Sequence, residues 1–241
     1  MLRIRLIVCT LLLPPLALSQ EQIAKPFGRV GLGVKLSSLG AGTEATMHFF
    51  SRSNLRTGFN YFIYDHDLSD GGVGYRGKLN LCSAQVTYDW YPFRRSFHLS
   101  PTVLIYNATH VSADLSVPAG TTFSITKGTY KSDPSDPISG TASLKFPKVA
   151  PGFLIGWGNL ISHGRHRVSF PFELGFVFEG TPHVSLNLNG SGCDPGGRGC
   201  SSLSSDPTAT RNIRSEQAKL AREVTFLRFY PIISIGVGYR F

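Results

Sequence analysis

Apolar side chains recur at every second position along most of this chain, and the alternation divides it into eight segments. The last is typical. Ile233, Ile235, Val237, Tyr239 and Phe241 share one face of a strand, while Ser234, Gly236, Gly238 and Arg240 share the other. The first segment, 27–36, sets Val30, Leu32, Val34 and Leu36 against Arg29, Gly31, Gly33 and Lys35. Further segments cover 43–50, 55–64, 78–91, 97–111 and 142–160, each bounded by Gly, Asn, Asp, Ser or Pro. Pro147 and Pro151 predict a bulge or bend in the sixth. The seventh starts after a turn at 162–165. Val168, Phe170, Phe172, Leu174, Phe176 and Phe178 point one way, and Arg167, Ser169, Glu173, Gly175 and Glu179 the other. The same parity resumes at Val184, Leu186 and Leu188, so this strand is expected to run beyond the apolar band. The eighth is expected over 226–241, and 208–223 predicts one weakly amphipathic helix in the last long loop.

The connections set the topology. Those after the second, fourth and sixth strands are tight, at 51–54, 92–96 and 162–166, and those after the third, fifth and seventh are long, at 65–77, 112–141 and 189–225. The connection after the first strand is short and breaks the regularity. Alternating short and long loops around an even number of strands are the mark of a bacterial outer-membrane barrel. The predicted fold class is all-β, an eight-stranded antiparallel up-and-down transmembrane β-barrel with a short helix in the last long loop. The mean hydropathy of +0.00 is compatible with this, because such strands alternate lipid-facing and lumen-facing residues.

The first residues add a compartment. Arg3 and Arg5 precede an apolar run from Leu6 to Leu18, and Ala17-Leu18-Ser19 offers small residues at a cleavage site. Residues 1–19 are thus expected to be a secretory signal peptide, leaving 20–241 as the barrel domain. Cys193 and Cys200 bracket a turn-prone Asp-Pro-Gly-Gly-Arg-Gly, and in an oxidising compartment they predict a disulfide. Cys82 is expected to face the membrane as a small hydrophobe. The formal charge is +9, but no compact basic run with interleaved aromatics exists, so nucleic acid is not an expected partner.

The signal peptide, the alternating strands and the closing Tyr239-Arg-Phe241 together resemble small eight-stranded outer-membrane proteins of the OmpA-like and OmpW-like superfamily. That resemblance implies a Gram-negative outer membrane, surrounding outer-membrane lipid, and a barrel-assembly machinery that would read Val237, Tyr239 and Phe241. No peptidoglycan-binding domain is expected after the barrel, since the sequence ends with the eighth strand.

The inward faces carry charges of both signs: Arg29, Lys35, Glu44, Arg56, Asp89, Arg167, Glu173, Glu179, Arg228 and Arg240. Buried charges are tolerated when paired, so an interior salt-bridge network that plugs the lumen is expected, with a structural or surface-interaction role. A narrow pore for small solutes is the alternative, with Gly31, Gly33, Gly236 and Gly238 leaving room. A soluble lipocalin-like carrier would need the opposite facing, with the aromatics of the seventh strand inside. His98 and Ser100 share a face at a spacing where a base and a hydroxyl can meet, but no acidic partner is identifiable beside them. His163 and His166 sit in a tight turn and are expected to be solvated. No enzyme activity, cofactor or metal is expected.

Overall fold

The computed structural model describes residues 30–70, 73–93, 96–125, 128–161 and 167–241. The leader at 1–19, Arg29, His163 and His166 lie outside the described residues. In chain order the elements are β1 (Val30–Ser37), β2 (Gly40–Phe50), β3 (Ser53–Asp70), β4 (Val73–Trp90), β5 (Phe97–Asn107), β6 (His110–Ser116), β7 (Thr122–Ile125) and β8 (Gly128–Ser132). There follow β9 (Ser139–Lys145), β10 (Ala150–Trp157), β11 (Val168–Ser169), β12 (Phe172–Phe178), β13 (His183–Asn189), β14 (Ser191–Cys193) and β15 (Ser201–Ser202). Helix α1 (Pro207–Glu223) continues as a 3-10 turn, Val224–Arg228, into β16 (Phe229–Arg240).

Eight of these strands close a barrel in the order β1, β2, β3, β4, β5, β10, β12, β16, every neighbour antiparallel. Closure is made where β1 meets β16, with Gly33 opposite Gly238 and Lys35 opposite Gly236. The facing is the reverse of a soluble barrel. Leu36 and Ile235 are 65% and 62% exposed on the outside, whereas Arg56 and Glu173 are 1% exposed on the inside. Large apolar side chains on most outward positions fit a hydrocarbon surround. This facing also rules out the carrier, whose apolar face would point inward. Aromatic rings gather at both rims: Phe93, Phe97 and Trp157 at the end with the short turns, and Phe176, Phe178 and Phe229 at the other, with centroids 5.2–6.0 Å apart. Such rings suit the polar–apolar boundary of a bilayer.

Beyond the second rim the wall continues as a headpiece. At Asn80 strand β4 leaves β5 and takes β6 as its partner, and β9 and β13 extend the sheet. A small sheet, ordered β15-β14-β8-β7, lies against it. Between them Val73, Val117, Ile138, Leu188, Leu203 and Ala209 form a buried apolar cluster. Helix α1 starts where Asp206 accepts a bond from Thr208 N at 2.8 Å with Pro207 at its first position. It covers the open edge of β13, Gln217 donating to Val184 O at 2.8 Å. The Cys193–Cys200 disulfide closes the loop between β14 and β15.

Three expected strands prove to be broken. The fifth divides at Ala108–Thr109, where Thr109 N turns to Asn107 Oδ1 at 3.0 Å. The sixth divides around Pro147 into β9 and β10. The seventh divides at Phe170-Pro171 and again at Gly180, whose φ of 68° turns the chain over. Across that second break the facing flips, so Val184 and Leu188 are buried in the headpiece instead of pointing outward. Cys82 keeps its outward parity but is buried.

Candidate functional site in the barrel interior

Arg56 projects from β3 into the middle of the barrel and joins three carboxylates from three other strands. Its Nη1 donates to Glu44 Oε1 and Glu173 Oε2, each at 3.0 Å, and its Nη2 also donates to Glu173 Oε1. Asp89 takes a two-pronged contact from Nε at 3.1 Å and Nη2 at 2.9 Å. Lys35 Nζ lies 2.7 Å from Glu44 Oε1, and His98 Nε2 lies 3.1 Å from Glu173 Oε1. Ser100 donates to Asp89 at 2.7 Å and Ser234 to Glu173 at 3.3 Å. All eight side chains are buried. A charge taken out of water is costly, and the guanidinium fork repays that cost by meeting planar carboxylates in pairs.

The local sequence explains why these groups meet. Inward positions on β4 and β5 place Asp89 opposite Asn54 and near Ser100, and Gly156 faces both His98 and Glu173 across β5, β10 and β12. A Cβ at Gly156 would press on the His98 ring and come within 2.9 Å of Glu173 Cγ. Glycine there makes room for the imidazole.

On the headpiece side of this network the interior is divided. One wall is polar: Asn60 donates to Ser83 at 3.2 Å, and Thr87 and Thr102 share a bond of 2.7 Å. The other is apolar, where Leu39, Leu104, Leu154, Val177 and Ile232 pack together. Leu39 comes from the short turn between β1 and β2, which Tyr230 ties down by donating to Ser38 O at 2.7 Å. At the opposite mouth the chain after β10 folds inward. Leu160 and Ile161 are 4% and 1% exposed, and Asn159 Oδ1 accepts from Asn54 Nδ2 at 3.0 Å and from Ile161 N at 2.8 Å. Leu160 lies over Gly31, Gly33 and Gly238, where any Cβ would displace it. Three of the four glycines that suggested an open path are therefore the seat of a leucine, and Gly236 lies against Val34 O and Lys35 Cβ instead.

Of the sequence-designated charges, Lys35, Glu44, Arg56, Asp89 and Glu173 meet in this one network. Glu179 is buried apart from them at the headpiece rim, accepting from Asn107 at 2.9 Å. Arg240 is half-buried near the other mouth. Two positions differ from the expectation. Arg167 is exposed and donates to Tyr239 Oη at 3.2 Å, because at the mouth no opposite wall confines it. Arg228 is exposed because the chain is still in its 3-10 turn there, so strand parity does not begin until Phe229. Val237 and Tyr239 face outward, and Phe241 N donates to Val30 O at 3.0 Å beside the closing seam.

The apolar half of the interior carries the inward parity too, at Leu154 and Val177, but parity alone does not distinguish an inward apolar residue from an outward one. His98 and Ser100 do find acidic partners, but each finds its own, and no hydrogen bond joins them among the described residues. Asp89, His98 and Glu173 bring ligand atoms within 4.8 Å of one another, yet the Arg56 guanidinium bridges Asp89 and Glu173, the two acidic members of that set.

No protein-family model matches the sequence, and no curated protein is significantly similar to it. Solved structures are similar in fold. The crystal structure of Acinetobacter baumannii CarO2 has a TM-score of 0.56 at 16% identity, covering 90% of this chain and all of that one. The crystal structure of Acinetobacter baumannii CarO has a TM-score of 0.55 at 17% identity, covering 88% and 97%.

Proposed function

We propose that this chain is an integral outer-membrane β-barrel whose interior is plugged, and that it serves as a scaffold holding an ordered headpiece at the outer surface. Residence in a membrane is supported by the outward apolar band, the two aromatic rims and the leader-like first residues. The fold shared with the CarO structures is compatible with that reading, as is the pattern-level resemblance to OmpA-like and OmpW-like barrels. Outer-membrane lipid is then its surround, and the barrel-assembly machinery its partner during biogenesis, through Val237, Tyr239 and Phe241.

The observation that carries the plugged reading is the buried Arg56 network, backed by a leucine-filled layer on one side and the inserted Leu160-Ile161 on the other. A solute would have to break several charge-assisted bonds at once, with little water to replace them. An eight-stranded barrel is just wide enough for side chains to fill it. Liposome swelling tests this. Proteoliposomes of the folded protein should swell in glycine, arabinose or arginine no faster than empty liposomes. Swelling that is faster and falls with solute size would establish the narrow pore instead.

A further inference from the structure

The outward face changes character sharply at one level. Below it lie the exposed rings of Phe176, Phe178 and Phe229. Above it the outward positions of the headpiece sheet are polar, and their charges neutralise one another: Lys78 Nζ meets Asp114 at 2.9 Å and Arg76 Nε meets Asp67 at 2.8 Å. The lowest polar level is different. Lys145 stands opposite His183 in the ladder, and Arg228 Nη2 donates to Thr181 Oγ1 at 2.8 Å, two residues before His183. Lys148 follows on the segment between β9 and β10, next to Val149, which is itself exposed. Lys145, Lys148 and Arg228 are exposed, and none of them forms an ion pair with a carboxylate among the described residues. Cations are thus left unneutralised in one contiguous sector, directly above the aromatic rim.

We infer that this sector, formed by β9, β13 and the 3-10 turn, docks the phosphorylated headgroup of the outer-leaflet lipid. At that height a bilayer presents its headgroups, and an exposed cation within a Debye length of an anionic headgroup gains electrostatic attraction that water alone does not supply. Arg228 supplies a fork suited to phosphate oxygens, while Lys145 and Lys148 act as point charges. Phe229, adjacent to Arg228 in the chain, seats the apolar part of the same lipid at the rim. The inference holds whether or not the interior conducts.

The test is binding of bis-phosphorylated lipid A, and of its fully dephosphorylated form, to the folded protein in detergent micelles, read by native mass spectrometry. The phosphorylated lipid should bind the wild type at least tenfold more tightly. Lys145→Ser with Arg228→Ser should weaken that binding about 30-fold, as two cations at an anionic headgroup imply. Arg76→Ser with Lys78→Ser removes the same charge from the higher levels and should change binding less than twofold. Equal affinity for the two lipids, equal losses in the two double variants, or full displacement of lipid A by millimolar inorganic phosphate would overturn the inference. Should the first double variant not fold, as judged by heat-modifiable migration, the comparison of lipids on the wild type decides alone.

Discussion

Replacing Arg56 with methionine keeps the unbranched apolar stem of the side chain and removes every hydrogen bond the guanidinium donates. In the wild type five such bonds reach Glu44, Asp89 and Glu173. Without them, three buried carboxylates are left to Lys35 and His98, the remaining basic groups bonded to the network. Leaving a buried charge uncompensated costs about 3–5 kcal/mol. With a urea slope of ~2 kcal/mol/M, the unfolding midpoint falls by about 2 M. Trp90 and Trp157, both exposed at strand ends, report the transition by fluorescence, and heat-modifiable migration checks the starting fold. Adding Glu173→Gln to Arg56→Met should restore part of the loss, since one of the three orphaned carboxylates is then neutral. Asp114→Asn is the contrast. That carboxyl is held below the usual range by the hydrogen bond from Lys78, but both groups are nearly half exposed, so the midpoint should hardly move. An Arg56→Met protein within 0.5 M of the wild-type midpoint, or a double variant weaker than the single, would refute the view that this network holds the barrel closed.

Burial pushes Glu179, one residue beyond the end of β12, up to about 7, against the opposing bond from Asn107. A carboxyl whose value is raised by folding favours the folded state at low pH, and that contribution is lost as pH climbs from ~4.3, the ordinary carboxyl value, to about 7. Glu179→Gln should therefore flatten the stability profile over that window and be more stable than wild type at pH 8; an unaltered slope between pH 5 and 8 would reject this. Gly175→Ala would drive a methyl group against Phe153 O and to within 2.8 Å of Leu154 Cα, both backbone atoms, and should lower stability by about 1–3 kcal/mol in the same urea assay. Cys193→Ser should free the loop between β14 and β15, at a local cost of about 2–3 kcal/mol. New proteolytic cuts are then expected within 194–199, with an unchanged barrel midpoint.

The barrel was legible because its signal is a two-residue period that only one facing satisfies. Outward positions such as Leu36, Phe176 and Ile235 are apolar, while Glu173 and Arg56 lie inward. The disulfide and the helix could likewise be read from local chemistry, namely a turn-rich loop between cysteines and good helix formers after Asp206-Pro207. The headpiece was not legible for a physical reason. Alternation persists as a strand leaves the bilayer, so nothing in the period announces that β4 changes partner at Asn80 or that Gly180 reverses the facing of Val184 and Leu188. Arg228 shows the same limit, since parity has no meaning where a 3-10 turn still runs. The interior was read in part. Charged residues on inward positions foretold that a network exists, but not which five would meet, because that depends on the stagger of the strands around the barrel. The inserted Leu160 and Ile161 came from a turn, where neither period applies.

The most direct measurement is single-channel current from the folded wild-type protein in a planar bilayer at 1 M KCl, with heat-modifiable migration confirming the fold. The plugged interior predicts no discrete conductance steps under a sustained voltage. Reproducible steps of one size, appearing with protein and absent from mock preparations, would contradict it and make Arg56, Glu44 and Glu173 the walls of a pore.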